Sequence, residues 1–180
     1  MTRRATVSDG NDLSPGLPPV SAPGIHTLVL GSLPSRLSIE RLEYYGNPQN
    51  AFWRIMAELA GFDSQLPYAE RESRLLAAGV GLWDVLASSV RPGSLDANID
   101  LKTARPNDLV AFLDGHRKLR RIAFNGRKAR QIFDKELSGS VEAERRGIGL
   151  LDLPSTSPAH AALSFDGKLN QWSALFAPGA

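Results

Sequence analysis

The order of strand-like and helix-like segments is the feature that most constrains the fold of this sequence. Short apolar runs alternate along the chain with segments in which apolar residues recur at helical spacing. This alternation predicts an α/β fold, a three-layer sandwich whose central, mainly parallel four-stranded sheet is flanked by helices. The predicted strands are residues 26–32, 80–86, 119–125 and 147–153; the predicted helices are 49–60, 69–78, 107–114, 127–137 and 165–176, with a helical turn near 38–43.

The length of the chain suits a single folded domain. Its 180 residues are enough to bury a hydrophobic core. Residues 1–23 contain four prolines and several small polar residues but no periodic apolar pattern, which predicts a disordered N-terminal tail. Residues 24–180 are then expected to form one α/β domain.

Composition excludes several kinds of site. The sequence has no cysteine, which rules out disulfides, a thiol nucleophile and zinc or iron–sulfur sites held by cysteine. Its three histidines are far apart, which argues against a histidine-rich metal centre. No apolar run approaches the length of a transmembrane helix, and the two arginines near the N-terminus are not followed by the apolar core of a secretory signal. The expected compartment is therefore the cytoplasm.

One segment is strongly basic although the net charge is only +2. Residues 116–130, HRKLRRIAFNGRKAR, hold seven lysines or arginines and no acidic residue. Such a run is able to follow a phosphate backbone, or it is a solvated surface around a strand start and a helix start. The sequence leaves both interpretations open.

The loops after the predicted strands are where a site is expected, since parallel sheets bind ligands beyond the carboxyl ends of their strands. The loop after the first strand contains the adjacent residues Tyr44 and Tyr45, of which one can stack on a flat ring while the other packs on the domain. Asn50 either caps the helix that follows or belongs to a site.

The next predicted strand ends in an acidic residue. Asp84 closes an otherwise apolar run, so its carboxylate must find a partner or face a cleft. It either accepts an N–H from a bound ring or hydrogen-bonds to the next loop through Ser88 or Arg91. Both interpretations stay open.

The last two loops contain small polar residues of the kind that contact phosphates. Asn125 and Gly126 lead from a strand into a helix start, which offers N–H groups to an anion or is simply a tight turn. The segment LPSTSPAHA, residues 153–161, places Ser and Thr hydroxyls between two stiffening prolines.

The order of these segments is more specific than any one of them. A strand with GSLPS, then YYGNPQNAFW, GLWDV, RPGSLD, FNGRKA and LPSTSPA before a final helix resembles the uracil-DNA glycosylase superfamily. The resemblance is greatest to its hypoxanthine-DNA glycosylase branch and covers about residues 25–176. It implies a metal-free, cofactor-independent enzyme that flips a deaminated base out of DNA and hydrolyses its N-glycosidic bond, initiating base excision repair.

The resemblance also implies a substrate and a location. The expected partner is DNA containing hypoxanthine, with uracil and xanthine as further candidates and with no membrane or obligate protein partner. The expected location is the cytoplasm of a bacterial type of cell, with nucleoid association during action. The alternatives are a uracil-preferring glycosylase on the same scaffold, a non-catalytic module that binds DNA or damaged bases, and a nucleotide-binding α/β protein unrelated to repair.

The resemblance assigns roles to particular residues. Asn50 is the candidate catalytic residue, orienting water through its amide oxygen. Tyr45 would stack on the flipped base, and the Asp84 carboxylate would accept the ring N–H that hypoxanthine and uracil share. The remaining candidates are Ser32 and Asn125 as base contacts, Ser155, Thr156 and Ser157 as DNA contacts, and Pro158 as the wedge.

Two positions depart from the pattern of the superfamily. Leu33 lies where other branches place an Asp or Asn that positions water, and it can neither accept nor donate a hydrogen bond. Leu153 lies where several relatives have a His or Asn that donates to the base carbonyl. The first departure motivates the non-catalytic alternative, and the second argues against strong activity on uracil.

Overall fold

A parallel sheet of four strands forms the centre of the molecule. The computed structural model describes residues 13–177, and in it every neighbouring pair of the order β3-β2-β6-β7 is parallel. Seven α-helices accompany the strands in the described chain, so the predicted fold class is confirmed. The strands are β1 (Leu13–Pro15), β2 (Thr27–Gly31), β3 (Val80–Asp84), β4 (Leu86–Val90), β5 (Arg105–Pro106), β6 (Arg121–Asn125) and β7 (Gly149–Leu153). The helices are α1 (Arg36–Arg41), α2 (Phe52–Ala60), α3 (Tyr68–Ala77), α4 (Leu109–Gly115), α5 (Arg127–Leu137), α6 (Gly139–Arg145) and α7 (Phe165–Trp172).

The register of the sheet brings the ends of its four strands to one edge. Gly31 pairs with Asp84, and Asn125 pairs with Leu153. These four residues are the last of β2, β3, β6 and β7. Because parallel strands share one direction, the loops that follow them meet at this edge.

The core lies on both faces of the parallel sheet. Leu28, Leu30 and Phe124 belong to one buried cluster, whereas Val29 and Ala123 belong to the other. Successive side chains of a strand point to opposite faces, so these apolar runs bury both faces at once. Within residues 13–177, no helix is long and apolar enough to cross a membrane.

A second, smaller sheet was not predicted. β4 pairs antiparallel with β1 and with β5, although no strand is predicted between residues 86 and 119. Leu86 and Ser89 are the buried residues of β4, three positions apart, so its burial does not alternate, and its register with β5 is irregular between Leu86 and Ser88. The strand is difficult to predict because both of its partners are distant in sequence and short.

The prediction of a disordered tail over residues 1–23 is wrong for residues 13–23. Leu13–Pro15 pairs with β4, and Val20 exchanges two backbone hydrogen bonds of 2.9 Å with Leu82. Leu17 is buried, and its carbonyl accepts a hydrogen bond from the Tyr44 hydroxyl. Prolines are tolerated in such an extended edge segment, since they fix φ in the extended range. Residues 1–12 lie outside the described part of the chain.

Most helix boundaries follow the sequence signals closely. α5 has the bounds that the sequence predicts, and Ser164 caps α7 by accepting a hydrogen bond from the Gly167 N–H at 3.1 Å. The helix predicted over residues 165–176 ends at Trp172 and continues as a 3-10 helix, Ser173–Phe176. α6 was not predicted, since it starts directly after α5 with a glycine and a serine, which are poor helix formers.

The basic run of residues 116–130 does not form one continuous surface. Arg117 and Lys118 precede β6, whereas Arg127 and Lys128 follow it, so the length of the strand separates the two groups. Within the run, Arg121 donates to the carbonyls of Ala174 and Leu175 near the chain end. The interpretation as a solvated surface with structural contacts is therefore favoured over a single track for a phosphate backbone.

The parallel sheet predicts the effect of one core substitution. Phe124 is fully buried in β6 and contacts the Phe133 ring of α5, with ring centroids 4.9 Å apart. We expect Phe124→Ala to lower the free energy of unfolding by about 3–5 kcal/mol, since it removes a ring and leaves a cavity. Val110→Ala, at a residue 46% exposed, is the control and should change it by less than about 0.5 kcal/mol in urea titrations. Equal effects of the two substitutions would contradict this description of the core.

Candidate active site

A cleft of about 470 Å³ opens at the edge where the four parallel strands end. Its walls come from the last residues of β2, β3 and β6 and from the loops after β2, β4 and β7. All nine predicted site residues line it. They are Ser32, Tyr45, Asn50, Asp84, Asn125, Ser155, Thr156, Ser157 and Pro158.

Asp84 is a buried acid in the wall of this cleft. It is only 4% exposed, and its Oδ2 has no hydrogen-bond partner in the described chain. A Cβ on Gly31, its neighbour in the sheet, would lie 2.4 Å from the Asp84 Oδ1, so only glycine leaves room for this carboxyl group. Burial raises the pKa of Asp84 to about 8, with nearby Asp96 adding to the effect and Arg91 opposing it.

This charge state bears on the roles expected of Asp84. Asp84 was expected to act as a carboxylate, whereas a pKa of about 8 leaves it mostly neutral at pH 7. It makes no hydrogen bond to Ser88 or Arg91. The Arg91 guanidinium, itself buried, instead donates to the carbonyls of Leu33 and Pro34 and so holds the loop after β2. The interpretation in which Asp84 faces a cleft is therefore the one that the structure supports.

Asp96 is a second acid in the cleft, and the sequence analysis missed it. It begins a 3-10 helix, Asp96–Asn98, in the loop after β4, and it lines the cleft together with Ser32. Burial raises the pKa of Asp96, while Ser32 and the positive charges of Arg91 and Lys128 oppose that shift. The sequence signal that could have identified Asp96 is its place as the last residue of the motif RPGSLD. This motif lies in a loop near the edge where the parallel strands end.

Tyr44 and Tyr45 have different roles. Tyr44 is buried, accepts a hydrogen bond from the Trp53 indole through its carbonyl, and anchors the loop. Tyr45 adopts a φ of 55°, in the left-handed region, and its ring stacks on Phe52 with centroids 4.0 Å apart. Burial and the nearby Asp84 raise the pKa of the Tyr45 phenol, while a hydrogen bond from Asn125 lowers it. The phenol is therefore neutral, and its ring forms a rigid wall of the cleft.

Asn125 and Thr156 form a doubly hydrogen-bonded pair. The Asn125 Nδ2 donates to the Thr156 hydroxyl, and the Asn125 Oδ1 accepts from the Thr156 N–H, both at 2.8 Å. The direct DNA contact predicted for Thr156 does not fit its burial, since this residue is only 1% exposed. The polar groups of the pair bind one another, so the pair joins the end of β6 to the loop after β7 rather than reaching outward.

The loop of residues 154–160 is held rigidly from behind. The Trp172 indole donates to the Pro154 carbonyl at 2.9 Å, and the buried Lys168 ammonium donates to the Ser157 carbonyl at 3.0 Å. Both donors come from α7, one turn apart, and the burial of Lys168 lowers its pKa. On the side of the loop away from α7, Pro158 is exposed to solvent.

Asn50 lines the cleft and lies two residues before α2, whose N-cap residue is Ala51. Its Oδ1 accepts a hydrogen bond from the Phe52 N–H at 2.9 Å, and its own N–H donates to the Asn47 carbonyl at 2.8 Å. The two interpretations of this residue are therefore compatible. A carbonyl oxygen has two lone pairs, so capping the helix fixes the amide and leaves one lone pair for a water molecule.

Leu33 and Leu153 belong to the core rather than to the polar groups of the site. Both are buried, and each packs into one of the two apolar clusters, although Leu33 also lines the cleft. His160 lies at the rim. Among the described residues, no group of three or more His, Asp or Glu side chains is arranged to hold a metal ion.

Leu95 is an exposed apolar residue on the rim, and the sequence analysis missed it. It is 54% exposed and lines the cleft from the loop after β4. Of the large apolar residues that are exposed within residues 13–177, it is the one that lines this cleft. An exposed leucine beside a concave site is typical of a surface that contacts a partner.

Comparisons with known proteins give consistent results. The chain is 37% identical over 164 residues to a protein of Methanosarcina acetivorans named hypoxanthine DNA glycosylase, covering 89% of this chain and 96% of that protein. It is 37% identical over 135 residues to a protein of the same name from Methanosarcina barkeri, covering 74% of this chain and 78% of that one. A solution NMR structure from Methanosarcina acetivorans, provisionally named a uracil DNA glycosylase, matches with a TM-score of 0.77 and 34% identity over 92% of this chain and 97% of that chain. No family model matches the chain.

The contacts of Lys168 predict that its substitution loosens the loop of residues 154–160 without lowering the stability of the whole fold. Lys168→Met keeps the apolar stem but removes the donor to the Ser157 carbonyl, so amide hydrogen exchange over residues 155–160 should accelerate about tenfold. The melting temperature should not fall, because replacing a buried charge with an apolar group is often neutral or stabilising. Lys135→Met, at an exposed lysine of α5, is the control. Unchanged amide hydrogen exchange over residues 155–160 in Lys168→Met would show that the loop does not depend on α7.

Proposed function

The chain belongs to the hypoxanthine DNA glycosylases of the uracil-DNA glycosylase superfamily, and we propose that it releases deaminated bases from DNA by hydrolysing their N-glycosidic bond. The observation that carries the proposal is a single cleft in which a buried acid, an aromatic ring and a fixed amide converge. Its volume of about 470 Å³ suits one nucleoside rather than a segment of duplex. The target base must therefore leave the helix to be cut.

Tyr45 and Asp84 are the proposed base contacts. The Tyr45 ring is backed by Phe52, so its position is fixed before the base arrives. The Asp84 carboxyl group lies in the wall of the cleft and has an unsatisfied oxygen, which is suited to the polar edge of a base. Ser32 adds a polar group beside them, and Asn125 acts by positioning Thr156.

Asn50 is the proposed water-orienting residue. An amide is not a base at neutral pH, so its oxygen can only hold and direct the water. As the C1′–N bond breaks, its electron pair goes to the base and the sugar becomes positively charged, as in glycoside hydrolysis. The water oxygen then bonds to C1′, and one water proton ends on the released base or in solvent. Asn50 thus supplies the water-orienting group that the apolar side chain of Leu33 cannot provide.

The rim of the cleft is the proposed DNA contact. The Ser155 and Ser157 hydroxyls accept hydrogen bonds from the Ser157 and Ala159 N–H groups, which leaves the hydroxyl hydrogens to donate to phosphate oxygens. Pro158 and Leu95 are exposed on two different loops. Apolar groups of this kind insert between bases and offset the cost of unstacking, about a few kcal/mol for each step.

The remaining expectations are part of the proposal. We infer that DNA with deaminated bases is the substrate and that the chemistry needs neither metal nor cofactor, since the roles named above require only water and neutral side chains. Release that is unchanged in the presence of a chelator would agree with this. The single domain over residues 24–180 and the cytoplasmic, nucleoid-associated location stay predictions.

Base release from defined oligonucleotides tests the proposed function. Duplexes with one hypoxanthine, uracil or xanthine, and an undamaged duplex, are incubated with the protein and then treated with alkali to cut at abasic sites. We expect cutting at hypoxanthine and none in undamaged DNA. Cutting mainly at uracil would instead identify the uracil-preferring alternative. DNA binding without any cutting would identify a non-catalytic module.

The double contact of Asn50 predicts that capping and catalysis are separable. Asn50→Ser keeps a side-chain oxygen able to cap α2 but withdraws the amide, so base release should fall at least about 100-fold. The free energy of unfolding should change by less than about 0.5 kcal/mol. Asn170→Ser, at an exposed residue of α7, is the control. Release within a few-fold of the wild type would remove Asn50 from the mechanism.

The exposure of Leu95 predicts a defect that depends on the duplex. Leu95→Ala should lower kcat/KM about tenfold on hypoxanthine in duplex DNA and much less in single-stranded DNA, where no stacked pair has to be opened. Leu42→Ala is the control, since Leu42 is 73% exposed but lines a separate surface groove. Equal losses on the two substrates, or none on the duplex, would show that Leu95 is not a wedge.

A further inference from the structure

We propose that Asp84 binds the base as a neutral carboxylic acid, and that Asp96 keeps it neutral by carrying the negative charge that the two acids share. The inference rests on the proposed function and names a second acid in the recognition of the base. Asp96 is a positioning residue here, since it acts on the base through Asp84.

The surroundings of Asp84 do not stabilise a carboxylate. The Arg91 guanidinium is directed to the Leu33 and Pro34 carbonyls, and the Asn107 Nδ2 donates to the Asp84 backbone carbonyl rather than to its side chain. Oδ2 therefore stays unpartnered in the described chain although it is buried. Burying an ionised carboxylate without donors is costly, so the acid binds a proton instead.

Few charged or titratable groups face Asp84. They are Arg91 from the end of β4, Asp96 from the loop beyond it, and the phenols of Tyr44 and Tyr45. Burial and Asp96 together raise the pKa of Asp84 to about 8 against the opposing effect of Arg91. The phenols are neutral, since burial raises their pKa values as well.

Asp96 is the better place for the shared negative charge. Burial raises the pKa of Asp96, but Ser32 and the positive charges of Arg91 and Lys128 oppose that shift and favour its ionised form. It is also less buried than Asp84. A first negative charge at Asp96 then opposes a second one at Asp84, as in other close pairs of carboxyl groups.

A neutral acid is complementary to the edge that deaminated bases share. Hypoxanthine, uracil and xanthine each present a ring N–H beside a carbonyl. A carboxylic acid can donate its O–H to that carbonyl and accept the N–H through its other oxygen, whereas a carboxylate can only accept. The departing base also becomes negatively charged, so a donor near its carbonyl stabilises the transition state and a carboxylate would repel it.

The neutral form also changes the account of selectivity. A carboxylate at Asp84 would repel adenine, whose ring nitrogen is an acceptor where hypoxanthine and uracil have an N–H. A carboxylic acid can donate to that nitrogen, so this repulsion is absent. Selection against adenine then depends on how readily a base leaves the duplex, which is easiest for a mismatched base, and on how well it leaves the sugar.

Two measurements on the full chain test the inference. The first follows the Asp84 carboxyl carbon by NMR in protein labelled with ¹³C-aspartate, with the resonance identified by its loss in Asp84→Asn. The second follows base release from a hypoxanthine duplex as a function of pH in the wild type, Asp84→Asn, Asp84→Ala and Asp96→Asn. Asp166→Asn, at an exposed acid of α7, is the control. All variants act on the same substrate, so ionisation of the base itself affects them equally.

The expected results have a definite sign. The Asp84 carbon should titrate near pH 8, and release by the wild type should fall as the pH rises through that value, since the active form is the protonated one. Asp96→Asn removes the neighbouring negative charge, so both midpoints should move about one pH unit lower. Asp84→Asn keeps a donor and an acceptor and should stay within about tenfold of the wild type, whereas Asp84→Ala should lose about 100-fold.

The contrary results separate this inference from the proposed function. Release by the wild type together with an Asp84 midpoint near 4, or with Asp84→Asn as inactive as Asp84→Ala, would overturn the inference and leave the function standing. If the pH at which base release falls is the same in Asp96→Asn as in the wild type, the role of Asp96 is overturned. The absence of release at every pH would overturn the proposed function and, with it, any role of Asp84 toward a base.

Discussion

The burial of one acid at the end of β3 is the constraint on which the rest of this site depends. Asp84 has no donor for its Oδ2, and a glycine is needed beside it to leave room for Oδ1. Its pKa, raised to about 8, means that the folded chain binds this proton more tightly than the unfolded chain does. The stability that the proton confers is therefore present below about pH 4 and is lost as the pH rises toward 8. A buried acid that destabilises the fold as the pH rises is typical of a functional site, where it serves to bind a ligand.

The remainder of the fold holds the walls around this acid. Asn125 binds Thr156 through two hydrogen bonds, and the Thr156 carbonyl accepts a hydrogen bond from the Ala51 N–H beside Asn50. One set of hydrogen bonds thus joins the end of β6, the loop after β7 and the residue that follows the water-orienting amide. Behind that loop, α7 supplies two buried donors. Such cross-connections keep the site preorganised, which is what a reaction assisted only by oriented water requires.

The sequence was sufficient to predict the parallel sheet and the loops that form the site. The strands that end at Gly31, Asp84, Asn125 and Leu153 are apolar runs whose direction follows from the alternation with helices, so their ends had to meet. The small sheet could not be predicted, because Leu13–Pro15 is ordered by pairing with a strand more than 70 residues away. Segments of this kind take their structure from tertiary contacts rather than from local propensity.

The parts of the site that the sequence did not reveal are those that depend on distances between loops. Asp96 was visible as an acid, but its place with Ser32 in the cleft and its proximity to Asp84 arise only in the fold. The charge state of Asp84 depends on the direction in which Arg91 points, which no spacing encodes. Asn50 shows the opposite case, since helix capping and a place in the cleft were weighed as alternatives and the geometry permits both.

The most direct test of the account is a crystal structure of the Asn50→Ser variant with a duplex that contains hypoxanthine. The account predicts that the base lies outside the helix in the cleft, with its ring against Tyr45. Its N–H and carbonyl should each lie about 3 Å from a different carboxyl oxygen of Asp84. A base that stays stacked in the duplex, or one that enters the cleft with another edge toward Asp84, would contradict the account.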